Sequence, residues 1–276
     1  MTRTPDHPTA QPGRPAVTGS VHAGGADIAY TAAGRGPGLL LVHGSTADSE
    51  ANYAGLRPLL TGHRTVITAD YAGSGATALP PGGELTVDLL AEQMAAVIRA
   101  AGPGPVDVAG ASLGAVVAAA LAAAHPHLVR RLVLIGGWAR NDDPRQRLAL
   151  GLWHHLARTD RTAYQQFITL LSLSPQALSA LGPDGIARAA AAAEPTEGAI
   201  RQIELDLAAD IRDRLPHITA PTLVIGARQD QVIPVTHARE LHQAIAGSRY
   251  AELDCGHNIP FEAPADLARL IDTFLT

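Results

Sequence analysis

The pentapeptide Gly110-Ala111-Ser112-Leu113-Gly114 separates an apolar run at residues 106–109 from an alanine-rich run at residues 115–124. This order predicts a strand, a sharp turn and a helix, with a serine at the apex of the turn. Small residues around Ser112 permit a strained turn, which holds the hydroxyl above the end of a sheet and beside a helix N-terminus. A serine held in this way has the geometry of a nucleophile. It needs a base, an acid that orients the base, and donors for an oxyanion.

The composition is that of a globular protein. The chain has 276 residues and an apolar content of 46%, which is enough for a large core in one or two domains. A formal net charge of -5 provides no basic surface and argues against nucleic acid as a partner. Cys255 is the single cysteine, so the sequence excludes an internal disulfide and a multi-cysteine metal site.

Neither a secretory signal nor a membrane span is apparent. Residues 1–15 are polar and rich in proline and threonine, without the apolar core of a signal peptide. No later stretch has the roughly 18 continuous apolar residues of a membrane-spanning helix. We therefore expect a cytoplasmic protein with a disordered tail over residues 1–15 that acts on a small molecule. The sequence leaves its oligomeric state open.

Strand and helix patterns alternate along most of the chain. A short hairpin is predicted within residues 17–31, and buried strands are predicted at residues 39–42, 65–69, 106–109, 131–135, 221–225 and 249–253. Strands that alternate with helices pair in parallel, with helices on both faces of the sheet. Such sheets bind ligands at the carboxyl ends of their strands.

Residues 138–215 interrupt this alternation. They contain helical patterns at residues 145–158, 162–173, 185–193 and 197–212 and no convincing strand. An all-helical insertion between two strands of a parallel sheet is most simply a cap over the strand ends. We therefore predict a core formed by residues 16–137 and 216–276, with a helical cap at residues 138–215.

Five separate stretches resemble the α/β-hydrolase superfamily, and they occur in the order found in that family. A single G-x-S-x-G motif is a weak signal, but five stretches in order are specific. They are residues 41–45, 70–75, 110–114, 226–230 with Pro234, and 256–257 with Glu262 and Pro264. The resemblance runs from about Val17 to Thr276. It implies an α/β fold with a mostly parallel eight-stranded sheet, flanking helices and a helical cap.

The resemblance implies a catalytic triad of Ser112, Asp230 and His257. A free serine hydroxyl is scarcely ionised at neutral pH, so Ser112 needs a base, and His257 follows the last strand where the family carries its histidine. The order serine, aspartate, histidine is that of this fold. Local context alone also permits His257 to be a surface histidine capping the last helix, and Asp230 to be a turn residue. Residues 142–143, both aspartates, form an alternative acid site.

Two backbone N–H groups are candidates for the oxyanion hole, which stabilises the charge formed when Ser112 attacks a carbonyl. One belongs to Leu113, at the start of a helix, and the other to Ser45, in the loop after the third strand. His43 resembles the family's histidine that braces this loop. Asp70 and the turn at residues 73–75 resemble its loop-stabilising turn.

The predicted cap carries a large share of the aromatic residues and suggests a mostly apolar substrate pocket. The core of the cap itself is an equally good explanation for each of them. The candidate substrate-binding residues are Trp138, Trp153, His154, Tyr164 and Phe167. His154 and His155 point to different sides of a helix, and no other cluster has metal-ligand spacing. With no phosphate-binding motif either, we expect no metal and no cofactor.

The nucleophile type selects among the family's reactions. Relatives that dehalogenate alkanes or open epoxides carry aspartate at this position, whereas Ser112 indicates acyl transfer. We predict a serine hydrolase that cleaves a small or medium, largely apolar ester, lactone or thioester through an acyl-serine intermediate. The same triad could serve acyl transfer, lactonisation, C–C bond cleavage, or cofactor-free lyase or oxygenase chemistry. A third alternative is a non-catalytic binding protein on the same scaffold.

Overall fold

The computed structural model describes residues 16–82, 84–102 and 104–276, so the tail expected at residues 1–15 lies outside the described residues. Eight strands form one sheet in the order β1-β2-β4-β3-β5-β6-β7-β8. The strands are β1 (Val17–Ala23), β2 (Ala26–Gly34), β3 (Gly38–Val42), β4 (Thr65–Ala69), β5 (Val106–Ala111), β6 (Val129–Ile135), β7 (Thr222–Ala227) and β8 (Arg249–Leu253).

Helices occupy most of the chain between these strands. The helices of the described part are α1 (Ser49–Tyr53), α2 (Arg57–Leu60), α3 (Val87–Ala101), α4 (Leu113–Ala124), α5 (Pro144–Thr159), α6 (Arg161–Ser172), α7 (Pro175–Ala192), α8 (Glu197–Ala208), α9 (Val235–Ala244), α10 (Ile259–Glu262) and α11 (Pro264–Leu275).

The sheet is mostly parallel, as predicted. The six strands from β4 to β8 in the sheet order pair in parallel, and β2 pairs antiparallel with both β1 and β4. The β1–β2 hairpin turns at Gly24 and Gly25, which both have positive φ angles. The predicted α/β fold is therefore confirmed, with its eight strands and flanking helices.

Strand β3 shows why its sequence is a continuous apolar run. Leu40 and Val42 belong to the hydrophobic core on one face of the sheet, whereas Leu39 and Leu41 belong to the core on the other. All four side chains are fully buried. A strand buried on both faces cannot alternate polar and apolar residues, so the run reflects its central place in a parallel sheet.

Helices α5 to α8 form a helical insertion between β6 and β7, at the carboxyl ends of the strands. Two of the helices predicted there differ from those observed. The third begins ten residues earlier than predicted, at Pro175, and contains a kink at Gly182, where φ is 62°. The fourth ends at Ala208 rather than at Arg212, because Asp210 pairs with Arg140 in an isolated bridge and draws the chain out of the helix.

The region between β3 and β4 also differs from the prediction. The sequence predicts one helix over residues 52–60, but the chain forms α1 and α2 with a break between them. Asp48 caps α1 by accepting a hydrogen bond from the N–H of Ala51. Pro58 lies in the first turn of α2, where its missing N–H is tolerated.

We expect Gly114→Ala to destabilise the fold, because a Cβ atom there would lie 2.1 Å from the carbonyl oxygen of Val42. Overpacking of this kind costs about 1–3 kcal/mol. Gly151→Ala is the matched control: it also lies in a helix, a Cβ there meets nothing within 4 Å, and alanine should add about 0.5–1 kcal/mol. Urea unfolding measures both. Equal stabilities of the two variants would contradict this packing argument.

Candidate active site

Ser112 occupies the turn between β5 and α4 in a strained backbone conformation. Its φ and ψ angles are 56° and -123°, a left-handed region that residues other than glycine rarely adopt. Such a conformation costs about 1–3 kcal/mol and persists only where the surroundings enforce it. A Cβ atom on Gly110 would lie 2.0 Å from the carbonyl oxygen of Gly114, so only a residue without a side chain fits at position 110 in this turn. The serine hydroxyl is thereby held at the carboxyl end of the sheet.

Ser112, His257 and Asp230 form one hydrogen-bonded chain. Nε2 of His257 lies 2.9 Å from Oγ of Ser112, and Nδ1 of His257 lies 2.7 Å from Oδ2 of Asp230. A carboxylate at Nδ1 fixes the tautomer in which Nδ1 carries the hydrogen, so Nε2 is free to accept the serine proton. The structure therefore brings together the three residues that the sequence predicts as a triad.

The backbone of the loop after β7 holds the carboxylate of Asp230. Oδ1 accepts hydrogen bonds from the N–H groups of Val232 and Ile233, at 2.8 and 2.7 Å. The side chain of Asp230 is 1% exposed. Since Oδ1 is occupied by two backbone donors, Oδ2 is directed to His257.

The electrostatic surroundings of His257 favour its charged form. Burial alone disfavours the imidazolium, but the charge and hydrogen bond of Asp230 outweigh it, and Asp206 and Glu262 contribute further. The net effect raises the pKa of His257 above its ordinary value. A histidine tuned in this way is suited to take up a proton from a neighbouring hydroxyl.

The loop after β3 lines the cavity at Ser112, and two of its N–H groups are held by side chains. The N–H of Gly44 donates to Oδ1 of Asn52 at 2.8 Å, and the N–H of Thr46 donates to Oε1 of Gln202 at 2.7 Å. The N–H of Ser45, between them, has no partner among the residues that the structure describes, and Ser45 lines the cavity at Ser112. It can therefore serve a substrate oxygen.

Leu113 offers a second N–H group on the other side of the nucleophile. It is the first residue of α4, where an N–H has no intrahelical partner and the helix dipole favours negative charge. Gly44 approaches closely, since a Cβ atom there would lie 3.2 Å from Cβ of Ser112. The placement of Ser45 and Leu113 as oxyanion donors stays a prediction.

A cavity of about 140 Å³ lies at Ser112, between the sheet and the helical insertion. The insertion contributes Trp153, Ile168 and Ser172 to its wall. The other lining residues are Gly44, Ser45, Thr46, Ala47, Asn52, Ala111, Ser112, His257, Asn258 and Pro260. Within the described part of the chain, the imidazole of His257 is the only ionisable side chain that lines it.

Two larger cavities flank this one. An apolar groove of about 300 Å³ shares Asn52, Ile168, Ser172 and Asn258 with the Ser112 cavity and is lined by no ionisable side chain. A polar groove of about 420 Å³ shares residues 46–47 with it and includes three carboxylates, those of Asp48, Glu194 and Glu197. The larger polar groove does not contain Ser112, so we place the reaction in the smaller cavity.

The predicted substrate-binding residues are only partly at the cavity. Trp153 lines it. Trp138 and Tyr164 are buried in the hydrophobic core instead, and Phe167 packs against that core without reaching the cavity lining. His154 follows Trp153 on α5, so its side chain points in a different direction. It does not line the cavity, and its Nε2 lies 3.2 Å from Glu204.

The alternative acid site is occupied by local interactions. Asp143 caps α5 by accepting from the N–H groups of Arg145 and Gln146, and Asp142 pairs with Arg140.

His43 is fully buried, stacks on Tyr71 at a ring-centroid distance of 3.9 Å and hydrogen bonds to the Gly44 carbonyl oxygen. These contacts are those of residues that hold a loop in place.

Asp70 joins two loops of the site. It accepts from the N–H of Ser49 at 2.9 Å and from the N–H of Ala76 at 3.1 Å. Gly75, with a φ of 48°, passes so close that a Cβ atom there would lie 2.2 Å from Oδ2 of Asp70. The turn after β4 is thus fixed to the start of α1.

Two residues of α8, Gln202 and Asp206, contact the loop after β3 and were not predicted from the sequence. Gln202 accepts from Thr46, and Asp206 accepts from the hydroxyl of Ser45. The two residues are four apart, so they lie on the same face of the helix. A pair of polar residues on the buried face of an amphipathic helix is the signal that could have identified them.

Within the described ranges, no group of three or more histidine, cysteine, aspartate or glutamate residues is arranged to hold a metal ion. Of the helices in those ranges, none combines the length and apolar character needed to cross a membrane.

Comparison with known proteins gives consistent matches. Residues 37–264 match the family described as alpha/beta hydrolase fold. The chain is 41% identical to pyrrolizixenacetamide deacetylase of Xenorhabdus hominickii over 92% of this chain and 97% of that protein. It is 30% identical to 2-hydroxy-6-oxo-2,4-heptadienoate hydrolase of Pseudomonas putida over 92% and 95% of the two chains. The enol-lactonase of Burkholderia xenovorans shares the fold, with a TM-score of 0.81 at 24% identity, over 93% and 99% of the chains.

We expect Asp230→Asn to lower the pKa of His257, because it removes the negative charge that favours the imidazolium. NMR titration of the His257 ring protons measures this directly. Asp142→Asn is the matched control, since it removes a carboxylate of the alternative acid site and should leave the titration unchanged. A fall in the His257 pKa in the control but not in Asp230→Asn would assign the acid to residues 142–143.

Proposed function

The chain belongs to the α/β-hydrolase family, and we propose that it is a serine hydrolase that removes a small acyl group from a neutral, largely apolar ester, thioester or amide, or opens a small lactone. The observation that carries the proposal is the hydrogen-bonded chain from Ser112 through His257 to Asp230. The relatives compared above by sequence are named as hydrolases, one of them a deacetylase.

The proposed reaction proceeds through an acyl-serine intermediate. Oγ of Ser112 attacks the carbonyl carbon as its proton passes to Nε2 of His257, and Asp230 stabilises the imidazolium. The oxyanion accepts hydrogen bonds from the N–H groups of Ser45 and Leu113, each worth about 3–4 kcal/mol to the transition state. His257 then gives its proton to the leaving group, and the bond between that group and the acyl carbon breaks.

Water completes the cycle. His257, now neutral, accepts a proton from a water molecule as the water oxygen attacks the acyl carbon. Collapse of the second tetrahedral intermediate breaks the bond to Oγ of Ser112, and His257 returns the proton to that oxygen. The products are the free acid and the released alcohol, thiol or amine, and the enzyme is unchanged.

The size of the Ser112 cavity supports a small acyl group. Its volume of about 140 Å³ lies well below the roughly 300–1,000 Å³ of a typical site for a drug-sized ligand. Trp153 and Ile168 close it on the side of the helical insertion. The apolar groove that shares Ile168 has room for the leaving portion of the substrate, and its lack of ionisable side chains favours a neutral one.

We also propose that residues 138–215, which include helices α5 to α8, act as a cap over the carboxyl ends of the strands. Trp153, Ile168 and Ser172 form part of the cavity wall, and Gln202 and Asp206 bond to the loop that carries Ser45. A cap placed in this way excludes water from the reacting carbonyl. It also makes substrate choice a property of the insertion.

Cleavage of C–C bonds is the second candidate, because one relative is a 2-hydroxy-6-oxo-2,4-heptadienoate hydrolase. The name of that substrate includes a carboxylate, which in a buried site calls for a cationic partner. Among the residues that the structure describes, no arginine lines the Ser112 cavity or the apolar groove, and the sequence has no lysine. The lining therefore favours a neutral acyl compound over a dienoate.

Ser112→Ala should abolish labelling by a fluorophosphonate probe and the burst release of alcohol from an activated acetyl ester, with kcat reduced by about 10⁴-fold or more. Loss of the attacking oxygen is the reason. Ser172→Ala is the control, because Ser172 lines the same cavity without contacting His257. Undiminished labelling of Ser112→Ala would refute the proposed nucleophile.

Ile168→Ala should extend the range of acyl chains accepted, because Ile168 lies between the Ser112 cavity and the apolar groove. We expect the ratio of kcat/KM for hexanoyl over acetyl esters to rise about tenfold, within the 1–3 kcal/mol that pocket contacts contribute. Leu170→Ala, on the same helix but 60% exposed, should not change the ratio. A ratio that stays constant in both variants would place the acyl chain elsewhere.

A further inference from the structure

Asp206 is a buried carboxyl group that the proposed reaction does not use. It lies on α8, is 2% exposed and has no basic residue as an ion-pair partner among the described residues. Its contact is the hydroxyl of Ser45, the residue whose N–H is the proposed oxyanion donor. A buried carboxylate without a cation is strongly disfavoured, so its protonation state calls for an explanation.

The geometry of this contact accommodates a proton on the carboxyl group as well as one on the hydroxyl. Both carboxyl oxygens of Asp206 lie within hydrogen-bonding distance of Oγ of Ser45, at 2.8 and 2.7 Å. The hydroxyl has one hydrogen and fully satisfies one of these oxygens. The second contact becomes a hydrogen bond when the carboxyl group donates its own proton to Oγ.

Two titratable groups, His257 and Tyr71, interact electrostatically with Asp206. The charge of His257 favours the carboxylate, and Tyr71 experiences Asp206 as a negative charge. Burial raises the pKa of Asp206 to about 7, and it outweighs the hydrogen bond from Ser45 and the charge of His257, which both lower it. Burial also raises the pKa of Tyr71 well above its ordinary value, so Tyr71 stays neutral.

The charged residues of α5, which packs against α8, do not neutralise Asp206. Arg145 donates to the carbonyl oxygen of Asp230 at 2.7 Å, and His154 lies beside Glu204. The remaining titratable residues of α5 are exposed: Arg147, His155 and Arg158.

We propose that Asp206 is a positioning residue for the oxyanion hole and that the enzyme is active only while Asp206 carries a proton. The inference rests on the proposed function. Neutral Asp206 holds Ser45 through two reciprocal hydrogen bonds and fixes the direction of its N–H. Ionised Asp206 loses one of these bonds and places a negative charge behind the loop on which the oxyanion forms, which destabilises the transition state.

Asp206 and His257 titrate as a coupled pair. His257 must be neutral to accept the serine proton, so activity rises with pH through its pKa. Asp206 must be protonated, so activity falls as pH rises through its own pKa. The two limbs of the resulting bell-shaped profile therefore belong to the pair rather than to either residue.

The first test is the pH profile of kcat/KM for an activated acetyl ester in wild type, Asp206→Asn and Ser45→Ala. Wild type should lose activity about tenfold per pH unit on the alkaline side. Asparagine retains the shape but cannot ionise, so Asp206→Asn should lose the alkaline limb, and its acid limb should move to lower pH because His257 loses a neighbouring charge. Ser45→Ala should move the alkaline limb to higher pH, since it removes a hydrogen bond that favours the carboxylate.

Glu204→Gln is the matched control, because Glu204 lies on the same helix, is largely exposed and lies beside His154 rather than Ser45. It should reproduce the wild-type profile. The same alkaline limb in Asp206→Asn and wild type would overturn the proposal. A wild-type profile without an alkaline limb would also overturn it, because Asp206 would then be ionised in the active enzyme.

The second test does not depend on activity. A carboxyl group whose pKa is higher in the folded than in the unfolded chain makes the folded state less stable as pH rises between those two values. The Tm of wild type should therefore fall, relative to that of Asp206→Asn, by several degrees between about pH 4 and about pH 8. Equal pH dependence of the two Tm values would refute a protonated Asp206 even if Ser112 is the nucleophile. If the Tm values of wild type and Asp206→Asn diverge with pH while Ser112→Ala is still labelled by the fluorophosphonate probe, the proposed function alone is refuted.

Discussion

The close approach of α4 to the ends of β3 and β5 is the constraint on which the rest of the site depends. Gly110 and Gly114 leave no room for a Cβ atom, so the chain turns within one residue and Ser112 takes up the strained conformation. The hydrogen bond from the N–H of Ser112 to the carbonyl oxygen of Ile135 ties the turn to β6. The same approach brings the loop after β3 close to the nucleophile, since a Cβ atom on Gly44 would lie 3.2 Å from Cβ of Ser112.

Much of the core could be predicted because its strands are buried on both faces. A continuous apolar run marked β3, and the bounds of β4 and β8 were predicted to the residue. Helix ends were harder, because tertiary contacts decide them: the bridge between Arg140 and Asp210 ends α8 early. No local pattern in the sequence specifies that contact.

The candidate site divides in the same way. Ser112, Asp230 and His257 follow strands of fixed order, so their meeting follows from topology. The positions of side chains in the helical insertion do not follow from topology, because the rotation of each helix depends on its packing against the core. Trp153 and His154 are adjacent in sequence, yet only Trp153 reaches the cavity. Asp206 is one of several charged residues of α8, and the packing of that helix buries its side chain.

The contacts of α8 bear on how the active site can change over evolution. Gln202 satisfies the N–H of Thr46 and the hydroxyl of Ser74, and Asp206 satisfies Ser45, so the insertion supplies part of the framework of the core's own loops. An insertion transplanted from another family member would leave these groups unpaired unless it brought equivalents of both side chains. Residues of α8 that face the core must therefore change together with the loop beneath them.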